Sequence, residues 1–184
     1  MTRSISFRLV MGVLATLLLA VGPVHAASKK KIDRRVERTL TEFRDDVSGA
    51  DELLAKAKGI LVFPSIKKGG FGVGGEYGQG ALRVGDENVA YYSNAAASIG
   101  FQIGVQSRRQ MLVFLEQTAL DKFRASDGWE IGVDASVTVV TVGAGGAIDS
   151  RQINQPIVAF VFDSKGLMYN LSLEGTKISR IKQD

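Results

Sequence analysis

The 184-residue chain contains no cysteine and a single histidine, His25. Without thiols there is no disulfide, no thiolate metal site, and no cysteine to carry a lipid after a cleaved leader. No apolar run reaches the ~20 residues that a membrane-spanning helix needs. The longest, Leu9–Val21, sits in a segment with the pattern of a secretory leader: Arg3 and Arg8 first, then the apolar stretch, then Val24 and Ala26 at the small-residue positions of a cleavage site. Cleavage before Ala27 would remove His25, leaving the exported chain with neither His nor Cys. A Ser-His-Asp or Cys-His nucleophilic site is then excluded. A zinc site would have to be built from carboxylates alone, which zinc rarely accepts.

Charge of one sign is also lacking. Removing residues 1–26 takes away two of the 23 basic residues and none of the 19 acidic ones, so the mature charge is only about +2. Such a balance gives no reason to invoke nucleic acid. The 158 residues from Ala27 onward suffice for one domain with a real core.

Glycine is abundant, and 11 of the 21 lie between Gly59 and Gly104. Aliphatic and aromatic residues are interleaved with them, so these glycines belong to folded structure, at tight bends or close backbone approaches. The run Gly70–Gly75 (GFGVGG) matches G-x-G-x-x-G. A dinucleotide site would need a helix after it, whereas the residues that follow keep a period of two, so the spacing predicts a strand.

The period separates two regions. Ile32, Val36, Leu40, Phe43 and Val47 lie 4, 4, 3 and 4 residues apart and line one helical face. Ser48–Asp51 resembles a capping box that opens a second short helix, with Gly59 as its stop. Beyond Gly59 the alternation is strand-like. Ile60–Phe63 reads as a strand closed by Pro64, and SIKKGG as a turn. Alternation through Phe71–Tyr77 leads into a hairpin about GDEN. Further strands are predicted at Ile99–Val105, at Met111–Leu115, at Trp129–Val139, in a hairpin of Ile157–Phe162 with Leu167–Leu173, and at Lys177–Ile181. The unbroken apolar run of Met111–Leu115 implies burial on both faces. Thr118–Ser126 reads as a short helix, residues 143–156 as a loop, and Trp129 as a core residue or, less in keeping with its type, an interfacial anchor. Short connections imply antiparallel pairing. The expected architecture is α+β: N-terminal helices packed on an antiparallel, barrel-like β-structure of about eight strands. The expected division is a leader at 1–26, a helical segment at 27–58 and a β-rich domain at 59–184.

Carboxylate catalysis finds little support. Glu130 and Asp134 share a face of the predicted strand, but four residues along a strand is ~13 Å, beyond the ~5–9.5 Å of glycosidase carboxyl pairs. Basic residues are more suggestive. Lys29–Arg38 holds six basic and two acidic residues flanking the apolar stripe, a pattern that suits either an anionic membrane surface or a packed helix with a solvated outer face. Lys67 and Lys68 lie in the Gly-rich turn, and Arg108 and Arg109 lie between two strands.

Three stretches carry a family resemblance: AKGILVFPSIKKGGFGVGGEYGQGALR (57–83), SIGFQIGVQSRRQMLVFL (98–115) and FDSKGLMYNLSLEGTKI (162–178), supported by GWEIGVDASV (128–137). From about Gly59 to Ile178 the chain resembles the SYLF domain. The resemblance implies a non-enzymatic lipid-binding module with helices packed on a barrel-like antiparallel structure and no cofactor. Eukaryotic members resemble phosphoinositide binders linked to actin. Carried over by position, the candidate headgroup contacts are Lys30, Lys31, Arg34 and Arg35 of the first helix with Lys67, Lys68, Arg83, Arg108 and Arg109. For an exported bacterial chain neither actin nor nucleic acid is expected. The expectation is a periplasmic, peripheral protein that engages anionic phospholipid or another envelope lipid. The alternative is a structural envelope protein acting through protein–protein contact.

Overall fold

The computed structural model describes residues 28–100, 106–139, 148, 155–163, 166–167 and 173–182, with the backbone alone at 70–73, 98–100, 106, 163 and 166–167. The leader, residues 101–105 of the predicted Ile99–Val105 strand, residues 168–172 of the predicted Leu167–Leu173 strand and most of the 143–156 loop lie outside the described residues.

Helix α1 (Lys29–Asp46) buries the predicted stripe: Ile32, Val36, Leu40 and Phe43 are at most 2% exposed. Helix α2 (Ala50–Lys56) follows after a break at Gly49, whose φ of 83° makes it the N-cap. The expected Ser48 capping box does not form, because the left-handed glycine takes the cap position and no side-chain cap bond is made. Nor is Gly59 the helix stop. Ala57 is already extended, and Gly59 opens strand β1.

Strands β1 (Gly59–Val84), β2 (Glu87–Gly100) and β3 (Gln106–Phe114) are followed by helix α3 (Gln117–Ala125), then β4 (Gly128–Glu130), β5 (Thr138–Val139), β6 (Ile157–Asp163), β7 (Gly166–Leu167) and β8 (Lys177–Ile181). They form one eight-stranded sheet in the order β4-β8-β2-β1-β3-β6-β5, with β7 on β6. The α+β class and the curled, barrel-like sheet agree with expectation. Pairing is antiparallel except for β5 with β6. Residues 140–156 separate those two strands, enough for the dozen-residue crossover that parallel pairing requires.

Pro64 does not close a strand. The register of β1 on β3 slips between Phe63 and Ile66, and β1 continues past it. A straight strand of 26 residues would be about 85 Å long. Instead β1 doubles back: Gly59 approaches Arg83 O, Gly78 approaches Ser65 O, and Gly80 approaches Val62 O. A Cβ at Gly78 would lie 2.7 Å from Ser65 O. Glycine is required there because backbone occupies the space of a side chain.

The longest predicted alternation, Trp129–Val139, is not one strand. Gly132 has φ of 91° and turns the chain, the Glu130 N–H donates to Asp134 Oδ2 at 2.6 Å, and Val133 is 74% exposed. Glu130 and Asp134 are thus brought together on a turn, so the 13 Å spacing of an extended strand does not describe them.

The sheet has a core on each face. Toward α1, Met111, Val113, Val158, Phe160 and Phe162 pack with Ile32, Val36, Leu40 and Phe43. Toward α3, Leu112, Phe114, Ile157, Ala159 and Val161 pack with Leu120, Phe123 and Trp129. The doubly buried reading of Met111–Leu115 therefore holds for β3. Trp129 is a core residue, meeting Phe123 edge-on at 5.3 Å.

Candidate functional site

Helix α1 carries charges of both signs. Three acidic side chains face the rim of the sheet and tie the helix down. Asp33 accepts from Asn88 Nδ2 and Tyr91 Oη, each at 2.7 Å. Glu37 accepts from Arg83 Nη1 at 2.9 Å. Glu42 accepts from Arg109 Nη1, and the Arg109 guanidinium also stacks 4.6 Å over the Phe162 ring. Burial, then the bond to Asp33, pushes the Tyr91 hydroxyl well above the usual tyrosine range.

Of the basic side chains, Lys29 lies 5.9 Å over the Tyr91 ring and Arg44 is 3.4 Å from Asp51; four others face solvent. Lys30, Lys31, Arg34 and Arg35 are exposed, and none of the described ion pairs involves them. Arg38, four residues beyond Arg34, extends the stripe and pairs with Glu42 at 2.9 Å. Arg38 closes the basic segment Lys29–Arg38, and nothing in its local sequence sets it apart from its neighbours.

This arrangement works against the helix. No acidic residue lies in the first turn of α1, so cations crowd the end where the macrodipole is already positive. Lys30 with Arg34, Lys31 with Arg35, and Arg34 with Arg38 are like-charge neighbours at i, i+4, each unfavourable by ~0.2–0.5 kcal/mol. Arg38 is partly relieved by Glu42, but no described ion pair neutralises the other four; an external anionic surface would, because it meets the cations and the dipole together.

The other candidates are placed differently. Arg83 is engaged with Glu37 and with Asp86 at 3.6 Å. Arg108, with a side chain only 10% exposed, gives Nη2 and Nε to Glu76 Oε2 at 2.5 and 3.1 Å. Arg109 is held by Glu42 and Phe162. These three stitch elements together and do not present free guanidinium groups to solvent. Lys68 is partly exposed and lies 3.7 Å from Glu76 Oε1, while Lys67 is exposed. The structure therefore gathers Lys30, Lys31, Arg34 and Arg35 on one helix surface and leaves the rest of the set elsewhere. The partners Glu37, Glu42 and Glu76 carry no sequence signal, because each lies 32 to 67 residues from its arginine.

No described helix is long and apolar enough to cross a membrane. Among the described residues no group of three His, Cys, Asp or Glu is placed to hold a metal.

Residues 95–184 match the family described as Ysc84, Las17-binding protein actin regulator. No curated protein matches the chain. The match takes in the second and third of the resembling stretches, and Ala57–Arg83 precedes it. Residues 95–184 are thus similar to the Ysc84, or SYLF-domain, family, whose members in general bind lipid.

Proposed function

We propose that this protein is a non-enzymatic, periplasmic lipid-binding protein that attaches peripherally to anionic phospholipid through the outward face of α1. One observation carries the reading: four exposed cations, Lys30, Lys31, Arg34 and Arg35, on the dipole-positive half of a docked helix. Each basic residue near an anionic surface contributes about 1 kcal/mol, and Lys67 can add to the field. Arg83, Arg108 and Arg109 act indirectly, by fixing the helix and the sheet that present the stripe.

The helix acts in its docked position. Undocking would bare Val62, Met111, Val113 and Phe160 on the sheet. At about 1.5–3 kcal/mol each, that exceeds the roughly 4 kcal/mol of headgroup attraction, even if the apolar face of α1 were re-buried in lipid. Co-sedimentation with vesicles tests the reading. The protein should pellet with phosphatidylglycerol vesicles, pellet far less with phosphatidylcholine, and be released by salt, since exposed charges are screened within ~10 Å at 0.1 M. Equal pelleting with both lipids, or with neither, would remove the electrostatic mechanism.

A second reading, a structural envelope protein that binds another protein, draws on the family description, which names a protein partner. Cross-linking in intact cells should then trap one stable partner. A protein that binds lipid and traps none would count against it.

A further inference from the structure

The sheet face opposite α1 holds a buried polar cluster that the membrane surface does not use. Side chains alternate between faces along a strand. Gln110 and Arg108 therefore follow Leu112 to the α3 side, and Asn94 follows Tyr92 to the same side. Asn94 is paired with Gly78 of β1, two residues from Glu76. Arg108 donates to Glu76 and, through Nη1 at 3.0 Å, to Gln110 Oε1, while Lys68 Nζ flanks Glu76 at 3.7 Å.

An arginine can only donate, so its bond fixes the Gln110 amide: Oε1 faces Arg108 and Nε2 is turned away. Gln110 and Asn94 are both 0% exposed. Among the described residues, Gln110 Nε2, Asn94 Nδ2 and Asn94 Oδ1 have no hydrogen-bond partner. Buried polar groups in folded proteins are nearly always met by something, and an exception points to strain or to an ordered water, ion or ligand beside it. Apolar side chains of similar size would carry no such desolvation cost.

The chemistry selects what that group is. Lys68 and Arg108 face the single carboxylate of Glu76, leaving one positive charge in excess. The unpartnered atoms are mostly donors, two amide NH2 groups against one carbonyl oxygen. We propose that this cluster is an oxyanion site for a phosphate group: Gln110, oriented by Arg108, donates Nε2, Asn94 supplies a second amide, and half-exposed Lys68 marks the solvent side. The site does not depend on the α1 stripe, so either can fail alone.

Isothermal titration calorimetry on a protein carrying Lys30, Lys31, Arg34 and Arg35→Gln tests it, because that background removes phosphate binding at α1. The probes are inorganic phosphate and monomeric dihexanoyl phosphatidic acid. Binding of phosphate assigns a free oxyanion, and binding of the phosphatidic acid alone assigns a lipid headgroup. Gln110→Glu keeps the oxygen toward Arg108 but replaces the free donor with a second anionic oxygen, and affinity should fall at least tenfold. Gln110→Met removes the donor without adding charge and should weaken binding in the same direction, which keeps the test decisive if the Glu variant does not fold. Absence of binding by both probes in this background, or unchanged affinity in a folded Gln110 variant, would overturn the assignment.

Discussion

Replacing Lys30, Lys31, Arg34 and Arg35 together with Gln should separate binding from stability in opposite directions. Four side chains at about 1 kcal/mol each amount to about 4 kcal/mol, or roughly a thousandfold in partition onto phosphatidylglycerol vesicles. The same substitutions remove three like-charge i, i+4 contacts, worth ~0.2–0.5 kcal/mol apiece, and relieve the cation–dipole conflict at the start of α1. None of the four side chains is buried, so no core contact is lost. The thermal midpoint should therefore rise, by about 2–4 °C for a gain near 1 kcal/mol in a domain of this size. Vesicle co-sedimentation and a thermal melt on the same preparation read both effects. A variant that binds as tightly as the parent, or that is less stable than the parent, would refute the claim that the stripe is kept for an external anion at the fold's expense.

Other perturbations probe the scaffold. Phe43→Ala should cost about 3–5 kcal/mol in urea unfolding, because Phe43 packs on Phe160 and Phe162 at ring-centroid distances of 4.8 and 6.3 Å; a loss under 1 kcal/mol would mean that α1 is not docked. Gly80→Ala should destabilise by about 1–3 kcal/mol, since its Cβ would meet Val62 O and lie 2.8 Å from the Phe63 ring; a neutral result would deny that β1 doubles back. Alkaline pH should loosen the fold. Burial raises the Tyr91 and Tyr92 hydroxyls above their ordinary value, so the folded chain keeps protons that the unfolded chain releases. Stability is then full below about pH 10, the ordinary tyrosine value, and declines above it. Tyr91→Phe should flatten that decline in denaturant melts between pH 9 and 11.5, and an unchanged slope would contradict the assignment.

What could be read from the chain depended on range. Ile32, Val36, Leu40 and Phe43 announce α1 because helical periodicity is local, and Met111–Leu115 announces a strand buried on both sides because the run has no polar gap. Ser48 misleads because a cap sequence cannot reveal that Gly49 takes the left-handed position first. Trp129–Val139 misleads because alternation is also compatible with two short strands joined by a turn at Gly132. At the site, the exposed face of α1 followed from the same periodicity as its buried one. The roles of Arg83, Arg108 and Arg109 did not, since their partners meet them only after the register of β1 on β3 and the seat of α1 are fixed. Gln110 and Asn94 read as ordinary polar positions of strands, and only their complete burial sets them apart.

The most direct test of a docked, outward-facing basic helix is hydrogen–deuterium exchange of α1 with the protein in solution and bound to phosphatidylglycerol vesicles. Amides of Ile32–Phe43 should stay as protected on the vesicle as off it, or become more so, while salt that releases the protein returns the solution pattern. Faster exchange across α1 on the membrane would mean that the helix leaves the sheet to bind, and the docked-helix mechanism would be wrong.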